Sequence, residues 1–159
     1  MVEQTMMNRQ VSTTFCDDIR QEIGGKLSYM GVYSSDLCVG GFPITLPKFC
    51  VAIRVMTPAD QPFWAIKFRL FRDAEMLAEA EMVEPQFEAN PGDLDGVPES
   101  DRKDMLMTVQ GMLVLAPLVL EAPCIFRVRV VTESEELRGP GLRILLAPQQ
   151  PVQVPALQA

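Results

Sequence analysis

Two neighbouring segments within residues 65–82 alternate between apolar and charged side chains, and they constrain the fold more than any other feature of the chain. Alternation with a period of two residues is typical of a β-strand that buries one face. The apolar positions are Ile66, Phe68 and Leu70 in the first segment and Met76, Ala78, Ala80 and Met82 in the second. The two segments therefore predict an antiparallel hairpin with one buried face.

The charges of the two segments are complementary. If the chain reverses around Ala74, Arg69 lies opposite Glu79 and Lys67 lies opposite Glu81. Opposite charges that face each other across an antiparallel pair stabilise it. The second segment is also rich in Ala, Glu, Met and Leu, which are good helix formers. A helix there would remove these pairs and make the fold α+β, but the alternation and the matching charges favour a strand.

The rest of the chain shows short strand patterns separated by glycine and proline turns. Such a pattern predicts an all-β fold, a two-sheet antiparallel β-sandwich of about eight strands, with α+β as the alternative. Asp18 is expected to cap one helical turn that ends at Gly24. Outside the hairpin, the predicted strands are residues 12–16, 27–33, 36–39, 49–55, 105–115, 118–120, 125–131 and 142–146.

The 159 residues fit a single domain. Residues 1–10 are expected to form an N-terminal extension, residues 11–146 the β-sandwich, and residues 147–159 an uncharged tail rich in proline and glutamine. Residues 84–104 are acidic and rich in proline, so they predict a long surface loop.

Charge and hydropathy exclude several partners and compartments. The net charge is −7, which argues against binding to nucleic acid or to an anionic membrane surface. Residues 1–10 lack the apolar core of a signal peptide. The most apolar run, residues 112–120, contains Pro117 and is too short to span a bilayer. We therefore expect a cytoplasmic protein.

Basic residues of the predicted strands could form a surface for nucleic acid, but we expect ion pairs with neighbouring acids to neutralise them. These residues are Lys67, Arg69, Arg127, Arg129 and Arg143.

The chain carries little that resembles catalytic or cofactor chemistry. It has no histidine, which removes the commonest general base and the usual catalytic triads. The four cysteines, Cys16, Cys38, Cys50 and Cys124, form no C-x-x-C pair. Without a secretory signal we expect four buried, reduced thiols rather than two disulfides. No catalytic residue and no cofactor is predicted.

Two acidic clusters are the remaining candidates for chemistry. Asp17, Asp18 and Glu22 could serve a histidine-free carboxylate enzyme, although Arg20 and Lys26 are close enough in sequence to neutralise them. The second cluster matches no EF-hand loop, because the first and last ligand positions would be a proline and an arginine. This cluster could still form a looser calcium site, and the favoured alternative is an acidic loop exposed to solvent. Its members are Asp93, Asp95, Glu99 and Asp101.

One part of the chain resembles a known family. The run FCDDIRQEIGGKLSYMGVY at residues 15–33, followed by the LPK turn at 46–48, is similar to the opening of an uncharacterised bacterial or phage family of unknown function. The resemblance extends over roughly residues 11–146, within the usual size of one domain. It implies no activity, cofactor or catalytic residue.

The sequence favours a non-enzymatic protein-binding or assembly module of a bacterium or phage, which engages another protein or copies of itself. The alternatives are a small-ligand or calcium-binding β-sandwich that uses the acidic loop, and a histidine-free carboxylate enzyme. A small binding domain takes its function from its partner, which a fold alone does not identify.

Overall fold

The structure is a computed structural model that describes residues 8–82, 96–102 and 105–149. These residues form twelve strands and one short helix. In chain order the elements are β1 (Gln10–Gln21), β2 (Leu27–Tyr33), β3 (Asp36–Val39), β4 (Ile44–Leu46), β5 (Phe49–Pro58), β6 (Ile66–Arg72), β7 (Glu75–Met82), α1 (Glu99–Arg102), β8 (Leu106–Leu115), β9 (Leu118–Leu120), β10 (Cys124–Thr132), β11 (Glu136–Arg138) and β12 (Leu142–Leu146).

The strands build two main sheets. The first sheet has the order β2-β1-β5-β8, and the second has the order β3-β12-β10-β6-β7, with β11 also paired to β10. β4 and β9 form a separate two-stranded ribbon. The pairs are antiparallel except for β12 and β3, which run parallel. The all-β prediction is confirmed, and the α+β alternative is wrong.

The core lies between the two main sheets. The rings of Phe49 in the first sheet and Phe126 in the second are 5.0 Å apart at their centroids. Alternate residues of β6 and β10 are buried, as expected for strands that present one face to the core, whereas the first half of β5 is buried on both faces. The largest fully buried side chains of these three strands are Phe49, Phe68, Phe126, Ile53, Ile66, Leu70, Val51, Val55 and Val128.

The hairpin predicted from charge and alternation is β6–β7. Arg69 pairs with Glu79 and Lys67 pairs with Glu81 in the strand register. The Arg69 Nε atom lies 2.7 Å from a Glu79 carboxylate oxygen, and the Lys67 Nζ atom lies 3.8 Å from Glu81. Asp73, with a φ of 52°, lies in the turn between the strands. Both the strand assignment and the predicted register are therefore confirmed.

A bulge at one end of the hairpin changes the predicted apolar face. The register shifts between Leu70 and Phe71, so that Ala78 faces Leu70 but Met76 faces Phe71. Met76 is consequently exposed, whereas Leu77 packs against the core. The predicted apolar face is correct for the far end of β7 and wrong at Met76.

The helical turn predicted after Asp18 is wrong. β1 continues as a strand to Gln21, because residues 15–21 pair with residues 33–27 of β2. Gly24 and Gly25 both have positive φ values and make the hairpin turn instead of ending a helix. Two short strands, β4 and β11, were not predicted from the sequence. Each is held by a partner strand rather than by strong local alternation.

The side chain of Arg9 connects the start of β1 with the rest of the domain. Its guanidinium donates hydrogen bonds to the hydroxyls of Thr57 and Thr132 and forms an ion pair with Glu133. The same group lies 4.5 Å from the ring centroid of Phe63, a cation–π distance. The side chain is only 7% exposed. Arg9 lies in the part of the chain that was expected to be an N-terminal extension.

All four cysteines are free thiols, as expected. Cys16, Cys50 and Cys124 are buried, whereas Cys38 is exposed, so the expectation of burial is wrong for Cys38. Cys16 and Cys50 face each other across β1 and β5. Burial is the main cause that raises the pKa of Cys16 to about 11, which keeps this thiol protonated at neutral pH.

Candidate functional site

Each main sheet ends in two edge strands, and three of these four edges are protected against pairing with a further strand. In the described residues the first sheet ends in β2 and β8, and the second ends in β3 and β7. Proteins protect edges by shortness, charge, bulges or bends, because an open edge recruits another strand. β3 has four residues, β7 carries three glutamates and a bulge, and β2 bends at Gly31 over the outer face of its own sheet.

β8 is the edge without such a device. Its ten residues, Leu106–Leu115, have the sequence LMTVQGMLVL, with no charge and no proline. They pair with β5 along the whole strand, from Leu115 opposite Phe49 to Leu106 opposite Pro58. No other strand of the described residues pairs with the second side of β8. A long and uncharged edge is therefore open to a further strand.

β8 is anchored to the core on one face and apolar on the other. Leu113 is buried, and a Cβ atom placed on Gly111 would lie 2.6 Å from the Phe68 ring, so the strand approaches the second sheet closely. On the outer face, Met112 and Val114 are 40% and 54% exposed. A rigid strand that shows apolar side chains beside an open edge is well suited to pairing.

The end of the β1–β2 hairpin, residues 17–31, bends over the outer face of the first sheet, and we call it the hairpin arm. β1 stops pairing with β5 at Cys16 but continues to pair with β2. Next to that point Gly31 has a φ of +64°, which permits a sharp bend. The thiol of Cys50 then donates a hydrogen bond to the carbonyl oxygen of Asp17, and Cys16 donates to Asp18. These contacts place the bend above the two thiols.

The hairpin arm reaches the opposite edge of its own sheet. Gln110 of β8 donates a hydrogen bond of 2.6 Å to the hydroxyl of Tyr29 in β2. β1 and β5 lie between these two strands in the sheet, and three strand spacings of about 4.8 Å are too far for a tyrosine in a flat sheet. The arm must therefore curl across the outer face.

A polar recess of about 170 Å³ lies where the arm meets the sheet. Three of the four strands of the first sheet's outer face contribute to it together with the arm, which brings distant parts of the chain together. Its lining residues are Ser12, Thr14, Tyr29, Ala52, Arg54 and Gln110.

The candidate carboxylates Asp17, Asp18 and Glu22 do not form a joint site. The Tyr33 hydroxyl donates a hydrogen bond to Asp17, and Asp18 forms ion pairs with Lys48 and Arg20. The hydrogen bond from Lys48 is the main cause that lowers the pKa of Asp18. Glu22 is exposed in the turn of the hairpin arm, next to Lys26. Each acid is thus either paired separately or solvated.

The candidate calcium ligands fall mostly outside the described residues. Asp93 and Asp95 lie there, while Glu99 and Asp101 are exposed on the short helix α1. In the part of the chain that the structure describes, no group of three or more His, Cys, Asp or Glu side chains is placed to hold a metal ion. Most of the predicted loop 84–104 and of the tail 147–159 also lies outside the described residues.

Comparison with known proteins adds a family but no activity. A family model described as a family of unknown function, DUF6941, matches residues 11–145. The chain belongs to this family. The match confirms the resemblance found in residues 15–33 and agrees in extent with the range expected from it. No curated protein matches the chain. Among the described residues of this DUF6941 member, no helix is long and apolar enough to cross a membrane.

The residues of the recess were missed by sequence reasoning, and the β8 edge was missed in part. The uncharged run at 105–115 was correctly identified as a strand, but its place at an edge depends on strand order. Tyr29, Arg54 and Gln110 are far apart in sequence, and nothing local connects them. The signal that could have helped was Gly31, a glycine inside a strand pattern, which often marks a bend or bulge.

Proposed function

We propose that this protein is a non-enzymatic assembly module in which β8 pairs with β8 of a second copy of the chain. The observation that carries the proposal is the open edge of β8, ten residues without charge or proline, in a domain whose other edges are protected. Adding a strand at such an edge supplies a row of backbone hydrogen bonds without any change in the fold.

A second copy is the occupant that fits this edge best. The two-fold symmetric dimer is the commonest assembly, and two identical antiparallel strands meet naturally across a two-fold axis. The net charge of −7 makes copies repel, but the uncharged β8 brings no like charges into direct contact. An axis near Gln110 or Gly111 pairs almost the whole strand with its copy. Four strands from each copy would then form one continuous sheet.

The non-enzymatic part of the proposal is supported by the state of the acidic residues. Asp17 accepts a hydrogen bond from Tyr33 and Asp18 forms ion pairs with Lys48 and Arg20, so the two carboxylates have separate structural partners and do not converge on a common point. The chain also lacks histidine. We further propose a protein partner rather than nucleic acid or membrane, on the basis of the net negative charge.

The proposed setting is the cytoplasm of a bacterium, or of a bacterium infected by a phage. Support for the compartment comes from the four free thiols, two of which face each other without a disulfide. Unpaired cysteines are usual in reducing compartments.

The experiment is size-exclusion chromatography with light scattering over a range of protein concentrations. We expect the unmodified chain to be a dimer and the double variant Met112→Lys/Val114→Lys to be a monomer, because lysines beside the edge of both copies repel. The matched control is Met76→Lys/Val119→Lys, at positions that are 51% and 41% exposed on other strands. This control variant should remain a dimer.

Three results would contradict the proposal. The first is a monomer at every concentration of the unmodified chain. The second is equal dissociation of the β8 variant and the control, because general surface charge rather than the β8 edge would then decide assembly. A dimer in which the β8 variant still assembles would place the interface elsewhere and would equally overturn the assignment to β8.

A further inference from the structure

We propose that the recess beneath Tyr29 is a binding site for a small oxyanion, a carboxylate or a phosphate group. The recess lies on the outer face of the first sheet within a single copy of the chain, so the proposal does not depend on pairing at β8. The argument starts from the hydrogen-bonding groups that meet there.

The lining of the recess is rich in donors and has no acid. It contains one guanidinium, three hydroxyls and one amide, from Arg54, Ser12, Thr14, Tyr29 and Gln110. In a chain with 21 acidic and 14 basic residues, a polar hollow that contains a cation and no carboxylate is a local exception. Such a lining attracts negative charge and repels cations.

Most of these donors are uncommitted. Within the described ranges, Arg54 forms no ion pair or side-chain hydrogen bond with another residue, and neither do the hydroxyls of Ser12 and Thr14. The Tyr29 hydroxyl accepts its bond from Gln110, so its own proton is left to donate to a third group. Four groups with protons to donate therefore surround one hollow.

The size and the architecture of the recess fit a small ligand. A volume of 170 Å³ is the volume that about five or six water molecules take up in liquid water. This is enough space for a phosphate or a short dicarboxylate. Arg54 and Ser12 rise from paired positions of β5 and β1, which are rigid neighbours in the middle of the sheet. Gln110 faces Arg54 from β8. The ligand contacts would thus stand on three adjacent strands, with Tyr29 as a cover.

The guanidinium is the group that determines the charge preference. Arginine binds carboxylate and phosphate through two parallel charge-assisted hydrogen bonds, which are about twice as strong as neutral ones. Ser12, Thr14 and Tyr29 would then donate to the remaining oxygen atoms of the ligand. The ligand also ties the hairpin arm to the sheet, because Tyr29 belongs to the arm and Arg54 to the sheet.

The experiment is a nuclear magnetic resonance titration of the full chain with inorganic phosphate and, separately, with succinate. Potassium chloride at matched ionic strength controls for salt effects. We expect saturable shifts of the Gln110 side-chain amide and the Arg54 Nε–H signal with at least one of the two anions. A response to phosphate alone or to succinate alone identifies which oxyanion the site prefers.

Variants separate a built site from general charge attraction. Arg54→Gln should weaken binding by about tenfold or more, the loss expected for a charge-assisted hydrogen bond. Tyr29→Phe keeps the ring but removes the hydroxyl and should weaken binding less. Arg138→Gln removes one exposed positive charge on β11 and should leave the affinity unchanged.

The proposal is overturned if neither anion gives a saturable shift at the recess. It is equally overturned if Arg54→Gln binds as the unmodified chain does, because the guanidinium would then not hold the anion. Equal weakening by Arg54→Gln and Arg138→Gln would also overturn it, because the anion would then respond to overall charge. The oligomeric state of the same samples is measured in parallel. A monomer that binds the anion would reject assembly at β8 and still support the recess.

Discussion

At the scale of single residues, Arg9 joins three separate segments of the domain through one side chain. Its guanidinium bridges Thr57, Thr132 and Glu133 while it lies on the Phe63 ring. No sequence pattern marks it, because its partners lie 48 to 124 residues away along the chain. Because these partners are distant in sequence, the contacts of Arg9 connect separate segments of the domain and stabilise the fold.

We predict that Arg9→Met lowers the free energy of unfolding by about 2–3 kcal/mol, because the buried hydroxyls of Thr57 and Thr132 and the carboxylate of Glu133 each lose their bond to the guanidinium. Urea denaturation measures the change. The control Arg138→Met should alter the free energy of unfolding by less than about 0.5 kcal/mol, since Arg138 is exposed and forms no side-chain bond within the described residues. Similar losses of unfolding free energy in both variants would show that Arg9 stabilises the fold no more than an exposed arginine does.

Asp18 predicts a pH dependence of stability. The pKa of this carboxyl is lowered, mainly by the hydrogen bond from Lys48. A lowered pKa in the folded state means that the unfolded state binds more protons, so the stabilisation is present at neutral pH and is lost as pH falls below about 4.

The test compares Asp18→Asn with the unmodified chain by thermal unfolding at several pH values. The variant should be less stable at pH 7, and the difference should disappear in acid. Asp60→Asn is the matched control, because Asp60 is exposed and forms no ion pair in the described part of the chain. A difference for Asp18→Asn that does not change with pH would mean that the ion pair with Lys48 is not its cause.

At the scale of elements, local signals predicted some strands well and others not at all. The β6–β7 hairpin was predicted with its register, because its two strands are neighbours in sequence and their charges match across the turn. β3 and β12 had clear strand patterns, but their parallel pairing joins residues more than 100 positions apart and leaves no local trace. The second half of β1 was predicted as a helical turn, because its polar residues resemble a helix cap and the pairing with β2 is not visible locally.

Gly111 determines how closely β8 approaches the second sheet. A Cβ atom at this position would lie 2.6 Å from the Phe68 ring, inside any allowed contact. We predict that Gly111→Ala lowers the free energy of unfolding by about 1–3 kcal/mol, the usual cost of overpacking a core. Gly41→Ala is the control, since no atom lies within 4 Å of its added Cβ.

The outcome for Gly111 also bears on assembly. If β8 is displaced outward by the added methyl group, the dimer should weaken together with the stability of the fold. A Gly111→Ala variant as stable as Gly41→Ala would show that β8 is held less tightly against Phe68 than the structure indicates. Urea denaturation of the two variants side by side decides between these results.

At the scale of the whole molecule, the sequence predicted the class of fold but not the location of the sites. The all-β class follows from alternation, turn residues and the absence of long amphipathic helices, all of which are local properties. The open edge and the recess depend on the order of strands and on the bend of the hairpin arm. Both arise from pairing over long distances, for example between Tyr29 and Gln110, which are 81 residues apart.

The two proposals assign different tasks to one edge and one face of the first sheet. The edge of β8 offers backbone groups to another strand, and the outer face offers donors to a small anion. Gln110 belongs to both, because it lies in β8 and holds Tyr29 over the recess.

The most direct test of assembly at β8 is hydrogen–deuterium exchange of residues 106–115 at low and high protein concentration. Pairing of β8 with its copy protects the outward amides of this strand, so we predict slower exchange there at high concentration and no change in β7, the charged edge of the other sheet. Exchange of residues 106–115 that is fast and independent of concentration would contradict the proposed dimer.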